Sequence, residues 1–389
     1  MQKDFHYYAT YAAAYMAGYS HEESMEICYS AQLVDWCSKT LLAQLKAPLE
    51  AATTQLQLEL ADMRVDILGL QDITRIWSSF HFLPYDLHAE KKKCARSYRN
   101  KYRLLCNTNG SLLVDTVNLA KDKGLQAAGI AMHVLADTWA HRYFAGTPSL
   151  VINNVNTYFY ECIPTESDKE KTNGPKGGSD RVYEDRLIVF RHNPSKPDNL
   201  EERFFVSTFF QGNENSVLNL GHGRAGHLPD YSFMRYKYVP AWGDYQEIFK
   251  DNPSDYWHAF CQMVYALEFL RGKEPSFQRR RYAWDVASPW KEEIQAILEK
   301  RQLDSCEDWK GFDERLSGEE MEDFDLKKYQ DEYKNTEKKR KNETWLGRFF
   351  EAAIAQKSMV TNKIFRSGNM LAGISIDVLK ENIALPGGV

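Results

Sequence analysis

The sequence predicts a mostly α-helical protein with a small β insertion. Apolar residues recur at steps of three and four along residues 5–150, which is typical of amphipathic helices. Runs that are typical of strands occur between residues 163 and 214. Hydrophobic residues make up 43% of the 389-residue chain, which is enough for a large core and excludes a mostly disordered protein.

The first helices are predicted in chain order from their apolar spacing and their caps. The second helix begins after Ser20, because Glu23 completes a capping box with it. Residues 48–71 are rich in Ala, Leu and Gln with hardly a breaker, so a helix is predicted there too. Another helix is predicted over residues 125–144, before Gly146. The first helix carries a largely aromatic stripe made of Phe5, Tyr8, Ala12, Tyr15 and Tyr19.

The pattern changes after residue 162. Two strands are predicted over residues 186–191 and 203–210, after a polar, glycine-containing loop. The apolar spacing of residues 346–379 predicts a tail helix that packs onto the bundle, against the alternative of a detachable partner-binding or membrane-surface helix. The sequence thus divides into the first part of a helical domain (1–162), a loop and β-hairpin insertion (163–214), the remainder of that domain (215–310), and a charged linker with a helical tail (311–389).

Composition limits the possible functions and locations. The net charge of −5 gives no general basic field for nucleic acid. The seven cysteines are scattered without a CxxC pair, so neither a disulfide framework nor a thiolate zinc site is predicted. We see no secretory signal, and the longest nearly apolar stretch, residues 125–136, is short for a membrane span. We therefore expect a protein that is cytoplasmic as synthesised. Export without a signal peptide, as for an effector protein, remains an alternative.

The most informative motif is an HxxxDxxxH pattern made by His133, Asp137 and His141. Steps of four place the three side chains on one face of a helix that is otherwise apolar all round. Buried imidazoles and carboxylates need compensation, which metal ions or a hydrogen-bonded His–Asp network would provide. Because His133 and His141 lie roughly 12 Å apart along the helix, one ion would hardly reach both. The spacing favours several ions with Asp137 between them.

Other histidines and carboxylates stand in unusual settings. His6 lies at the start of the first helix, Asp35 lies in an apolar stretch, and His81 is flanked by aromatic residues and Pro84. A glycine-rich loop adds three further candidates, which are His222, His227 and Asp230. Glycine lets the backbone approach a ligand closely, so this loop is a plausible second half of the site. Each of these residues alone is equally consistent with an ordinary core or cap position.

This ordered set, together with the segments DFHYY and LADTWAH, resembles the zinc-dependent phospholipase C and S1-type nuclease superfamily, and in particular a bacterial branch of it. The resemblance implies a multi-helix bundle that binds two or three Zn²⁺ ions, or another divalent transition metal, and hydrolyses phosphodiesters. The metal ligands that the resemblance implies are His6, Asp35, His81, His133, Asp137, His141 and His227, with Asp230 as the late carboxylate.

We therefore expect a metal-dependent, phospholipase C-like phosphoester hydrolase that uses a hydroxide formed from metal-bound water. Asp35 and Asp137 are the candidates for bridging metals or acting as the base. Arg224, Arg142 and His222 are the candidates for binding the substrate. The substrate is a phospholipid or a nucleotide, and contact with a membrane surface is compatible with the first. The alternatives are a nuclease of the same fold and a non-catalytic interaction protein on that scaffold.

Overall fold

A computed structural model describes residues 1–156, 159–164, 183–187 and 214–374. It confirms that the chain is mostly α-helical. Short 3-10 turns lie between several of the α-helices, and a small sheet lies beside the bundle. The α-helices are α1 (Thr10–Met16), α2 (His21–Leu33), α3 (Lys39–Leu45), α4 (Gln57–Met63), α5 (Ile67–Phe80), α6 (Arg96–Tyr102), α7 (Ser111–Ala120), α8 (Leu125–Ala140), α9 (Leu150–Asn153), α10 (Asn252–Leu270), α11 (Trp284–Ala287), α12 (Lys291–Glu299), α13 (Cys306–Ser317), α14 (Leu326–Asn335) and α15 (Trp345–Arg366).

The N-terminal segment enters the core at once. A π-helical turn, Asp4–Ala9, runs directly into α1, and all six of its residues are buried. The predicted capping box of α2 is confirmed, since the Glu23 backbone N–H donates to Ser20 Oγ at 3.2 Å and the Ser20 N–H donates to a Glu23 carboxylate oxygen at 2.9 Å. Residues at the very start of the chain therefore lie among the central helices.

Helix α8 is the centre of the bundle. It packs against α2, α10, α7 and α15, and every side chain from Gln126 to Ala140 is buried. Gly129 permits the close approach of α2, because a Cβ atom at this position would lie 2.5 Å from Ser30 Cβ and 2.9 Å from the Ala31 nitrogen. The absence of a side chain at Gly129 thus sets how near the two helices come.

The prediction of a helix over residues 48–71 is wrong in its first half. Only a 3-10 turn, Leu49–Ala51, forms there, and an extended segment leads into α4. The Thr53 N–H donates to the Cys37 carbonyl at 2.9 Å, and the Thr53 hydroxyl donates to the Val34 carbonyl at 2.6 Å. These tertiary hydrogen bonds to the chain after α2 override the helical composition of the segment.

The sheet is antiparallel, with strands β1 (Tyr160–Pro164), β2 (Tyr183–Leu187), β3 (Arg235–Tyr238) and β4 (Ile248–Asp251) in the order β2-β1-β3-β4. Cys162 pairs with Asp185, Tyr160 with Lys237, and Tyr236 with Lys250. Strand β2 overlaps the start of the first predicted strand. The second predicted strand, at 203–210, lies outside the described residues. The same holds for the polar loop that precedes the two predicted strands.

The tail packs on the bundle, as the apolar spacing predicts. Helix α15 contacts α5 and α8, and its side chains Leu346, Phe349 and Phe350 are buried in the main core. The acidic and basic stretch before it contains α14, whose Tyr333 packs edge-on against Phe350. Within the described ranges, no helix combines the length and the apolar character needed to cross a bilayer.

Candidate metal centre

Helix α8 and the residue after it bring the HxxxDxxxH motif into the core. His133 and Asp137 project from α8, and His141 caps its C-terminal end. Their exposed fractions are 0%, 1% and 4%, so all three are buried. The prediction that they share one face is confirmed, because both histidines have a ring nitrogen within 3.5 Å of the Asp137 carboxylate.

Asp137 lies at the middle of the cluster, and its two oxygens face different groups. Oδ1 is 2.8 Å from the amino group of Met1 and 3.2 Å from His6 Nε2. Oδ2 is 3.2 Å from both His81 Nδ1 and His133 Nε2. A carboxylate that presents its oxygens to two separate groups has the geometry required of a bridging ligand.

Backbone carbonyls fix the tautomers of the histidines on one side of Asp137. His81 Nε2 lies 3.0 Å from the Thr53 carbonyl, and His133 Nδ1 lies 2.9 Å from the Ala31 carbonyl. A carbonyl oxygen only accepts, so each of these nitrogens carries the hydrogen. The remaining nitrogens, His81 Nδ1 and His133 Nε2, then present lone pairs to each other at 3.3 Å. Two facing lone pairs require a cation between them, either an added proton or a metal ion.

The same pattern is repeated on the other side. His141 Nδ1 donates to the His81 carbonyl at 2.8 Å, and His222 Nδ1 donates to the Gly226 carbonyl at 2.7 Å. In the neutral rings the lone pairs are then on the Nε2 atoms, which lie 3.1 Å and 3.6 Å from Asp230 Oδ1. The ammonium nitrogen of Met1 lies 3.2 Å from His141 Nε2 and can donate to it. Ligating histidines commonly have the other ring N–H held by a carbonyl in this way.

The distances among His81, His133 and Asp137 fit a zinc ion. Three atoms, His81 Nδ1, His133 Nε2 and Asp137 Oδ2, form a triangle with sides of 3.2, 3.2 and 3.3 Å. Metal bonds of 2.0–2.1 Å in a tetrahedral site would separate the ligand atoms by roughly 3.3–3.4 Å. Asp35 Oδ1 lies 3.9 and 3.8 Å from the two imidazole nitrogens, on the more open side. The four side chains thus suit a divalent transition metal.

His6 supplies an independent indication. Its ring is fully buried and stacks on the His133 ring with centroids 3.7 Å apart, yet neither ring nitrogen makes a hydrogen bond within the described part of the chain. Burial and His133 lower the pKa of His6 to about 4, against the opposing effect of Asp137, so the ring is neutral. Its Nε2 atom lies 3.2 Å from Asp137 Oδ1 but outside hydrogen-bond geometry, and a buried imidazole that is satisfied so poorly fits a metal ligand. Among the described residues, three groups could hold an ion, namely His6 with His133 and Asp137, Asp35 with His81 and His133, and His141 with His222 and Asp230.

The two central carboxylates are charged despite their burial. Burial raises the pKa of Asp137, but His141, the Met1 ammonium group and the other histidines hold it well below its usual range. Burial likewise raises the pKa of Asp230, but His222 and the same ammonium group hold it well below its usual range. The Met1 ammonium group lies 3.3 Å from Asp230 Oδ1. Its positive charge compensates part of the negative charge of the cluster.

The two histidines of the glycine-rich loop lie in different surroundings. His222, expected to contact the substrate, lies in a candidate metal group, whereas His227, expected to be a ligand, is 58% exposed at the side chain. His227 Nδ1 still lies 3.1 Å from Asp230 Oδ2. The loop turns at Gly221, with φ of +54°, and a Cβ atom there would lie within 2.6 Å of the Phe82 ring. This turn brings His222 inward.

The two arginines have partners of their own. Arg142 forms an ion pair with Asp255 at 3.0 Å, and the buried Lys250 donates to the same carboxylate. One carboxylate thus pairs with two cations, so Arg142 has an ion-pair partner but its charge is only partly compensated. Arg224 Nε donates to Asn219 Oδ1 at 2.8 Å, which leaves its terminal nitrogens as the better candidates for a phosphate group.

A family model that matches residues 1–364 is described as a family of unknown function, DUF6765. The chain belongs to the DUF6765 family. The DUF6765 match includes every residue of the candidate metal centre. No curated protein and no solved structure matched the chain.

Acid should destabilise this DUF6765 protein when it is metal-free. Burial lowers the pKa of both His6 and His222 from 6.5 to about 4, so the unfolded chain takes up protons at these positions first. Their contribution to stability is full above about pH 6.5 and is lost as the pH falls to about 4. Thermal unfolding midpoints measured in chelator should fall across this window. His222→Gln should reduce the change of the unfolding midpoint with pH, whereas His21→Gln, at a partly exposed site, should not. A parent midpoint that stays constant between pH 6.5 and about 4 would show that His6 and His222 are not buried as neutral imidazoles.

Proposed function

We propose that the chain is a metal-dependent phosphoester hydrolase with a phospholipase C-like helical fold, using Zn²⁺ or a similar divalent transition metal. The observation that carries the proposal is the convergence of imidazole lone pairs on carboxylates. His81, His133, His141 and His222 each have one ring nitrogen held by a backbone carbonyl and the other directed at the cluster. Imidazole nitrogens that face carboxylate oxygens in this way are characteristic of cation-binding sites.

The residues divide into two sets on either side of Asp137. Asp35, His81 and His133 would hold one ion. His141, His222 and Asp230 would hold another. His6, whose Nε2 lies 3.2 Å from Asp137 Oδ1, would contribute to a third ion site with His133 and Asp137. Bound divalent ions would supply positive charge to the phosphoryl oxygens and lower the pKa of water to near 7.

The two candidate bases differ in access. The Asp35 side chain is 29% exposed, whereas Asp137 is 1% exposed and surrounded by imidazoles. Asp35 is therefore the carboxylate that substrate and attacking water can reach, and it would hold the proton that the water loses. Asp137 instead keeps the two sets of ligands in register. His222, 18% exposed at the side chain, lies at the other accessible edge, where it would also orient the phosphate.

The class of reaction is supported by the order of the ligands along the chain, which resembles that of the phospholipase C and S1-type nuclease superfamily. Neighbouring metal sites that share a carboxylate suit the displacement at phosphorus, because both the attacking and the leaving oxygen need positive charge. Phospholipids and nucleotides share the phosphodiester that this chemistry requires. The alternative functions are a nuclease of the same fold and a non-catalytic interaction protein, and the tests below distinguish them.

Metal content is the first test. Protein purified without chelator should contain at least about two equivalents of zinc or a similar metal, since two of the three candidate groups can be filled without sharing a ligand. Less than about half an equivalent would contradict both the metal and the hydrolase.

Activity is the second test, on the metal-loaded chain. A chromogenic phosphodiester should be hydrolysed, and a phosphatidylcholine vesicle and a dinucleotide assayed beside it would separate the lipid from the nucleotide substrate. Metal-loaded protein without turnover on any of the three would contradict the hydrolase and favour an interaction protein.

A further inference from the structure

The C-terminal helix α15 reaches the supports of His81 through two adjacent buried side chains. Gln356 and Lys357 are 3% and 6% exposed, in the middle of a helix whose other buried residues are mostly apolar. Buried polar side chains cost free energy unless they make specific hydrogen bonds. Their partners therefore indicate what the two residues do.

Gln356 holds the end of α5. Its Nε2 donates to the Ser79 carbonyl at 3.1 Å and to Thr116 Oγ1 at 3.0 Å. Ser79 lies in the last turn of α5, two residues before His81, where helix carbonyls have no partner within the helix. The amide of Gln356 replaces that missing partner and fixes the direction in which the chain leaves α5.

Lys357 holds the segment on the opposite side of His81. Its Nζ donates to the Ala52 carbonyl at 3.2 Å. The next residue, Thr53, accepts the hydrogen of His81 Nε2 through its carbonyl. The Thr53 hydroxyl is also bonded to the chain beside Asp35, at the Val34 carbonyl. Lys357 therefore supports the segment that aligns two of the candidate ligands.

An ion pair does not account for the position of Lys357. The nearby carboxylate of Asp72 already lies 2.7 Å from Lys39 Nζ and 3.8 Å from Arg75 Nη1. In the part of the chain that the structure describes, the Ala52 carbonyl is the hydrogen-bond partner shown for Lys357. A methionine would fill the same space without the cost of burying an ammonium group.

We infer that Gln356 and Lys357 are positioning residues for His81, so that α15 sets the metal affinity of the group formed by Asp35, His81 and His133. The inference rests on the metal centre of the proposed function. It does not depend on the reaction that the centre carries out. It assigns to the C-terminal helix a task beyond filling the core.

The test compares Lys357→Met and Gln356→Leu with Lys363→Met. Lys363 lies on the same helix, but its side chain is 44% exposed and pairs with Asp115 on the surface. Zinc stoichiometry and affinity would be measured by competition with a chelator, and the unfolding midpoint of the metal-free chain would be measured in parallel. We expect about tenfold weaker binding of one zinc equivalent in the first two variants, at the low end for residues that orient a ligand. The second equivalent and the Lys363→Met control should be unchanged.

Rescue gives a further readout. Lys357→Arg keeps a charged donor and should bind zinc more tightly than Lys357→Met. Affinities within about threefold of the parent in both variants would overturn the inference, and so would an equal weakening of all equivalents that accompanies a lower midpoint of the metal-free chain. A parent chain without zinc would overturn the proposed function itself, and the inference with it. A loaded parent with unaffected variants would overturn the inference alone.

Discussion

Asp137→Asn should remove most of the bound metal and nearly abolish phosphodiester hydrolysis. The amide keeps the shape of the carboxylate but loses the charge that faces His6 on one oxygen and His81 and His133 on the other. The metal-free chain should also lose unfolding free energy, at most about 3–5 kcal/mol, because the buried ammonium group of Met1 loses the nearer of its two carboxylates and keeps Asp230 at 3.3 Å. Elemental analysis, a chromogenic assay and denaturant titration measure the three effects.

Asp115→Asn is the matched control. Asp115 is a surface residue that pairs with Lys363, so the same substitution there should change stability by no more than about 1 kcal/mol and leave the metal content as it was. Full metal content in Asp137→Asn, together with activity within roughly threefold of the parent, would show that Asp137 is not a bridging ligand.

Deleting the chain from Trp345 onward should give insoluble or metal-poor protein. The deletion removes α15, in which Leu346, Phe349, Val360 and Ile364 are fully buried. Each such side chain contributes roughly 1.5–3 kcal/mol by burial. Several together rival the whole net stability of a domain, about 5–15 kcal/mol. Size-exclusion chromatography and metal analysis would measure the outcome.

Single substitutions on α15 should lower the free energy of unfolding according to how deeply the side chain is buried. Phe349→Ala should cost about 3–5 kcal/mol, whereas Glu351→Ala, at an exposed position, should stay within about 0.5 kcal/mol. A truncated chain that remains monodisperse, metal-loaded and active would show that the helix is a separate docking element and not part of the core.

The helical centre of the site was predictable because its signal is periodic. Steps of four in an apolar setting place His133, Asp137 and His141 on one buried face, since a helix that continues to its C-cap at His141 fixes their relative directions. The chain also separates His133 and His141 into different candidate metal groups, as their spacing predicts. Information of this kind is local, and one sequence is sufficient for it.

The parts that sequence reasoning missed depend on contacts between distant segments. The carbonyls of Ala31 and Thr53 fix two histidine tautomers, but a backbone oxygen has no residue signature. The inward position of His222 depends on a turn packed against Phe82, and the segment HGRAGH gives no means of ranking its two histidines. The first half of residues 48–71 is not an α-helix, because tertiary hydrogen bonds decide its conformation. The amino group of Met1 likewise carries no sequence pattern.

The missing side chain of Gly129 has a chemical consequence for His133. Because α2 comes close at Gly129, the Ala31 carbonyl reaches His133 Nδ1 and fixes the ring hydrogen on that nitrogen. A methyl group at position 129 would push α2 outward and weaken this constraint before it altered any candidate ligand. The distance between two helices, and not a neighbouring acid, thus selects the nitrogen that is available to a metal. An engineer who wished to change which nitrogen of His133 faces the cluster would begin with that distance.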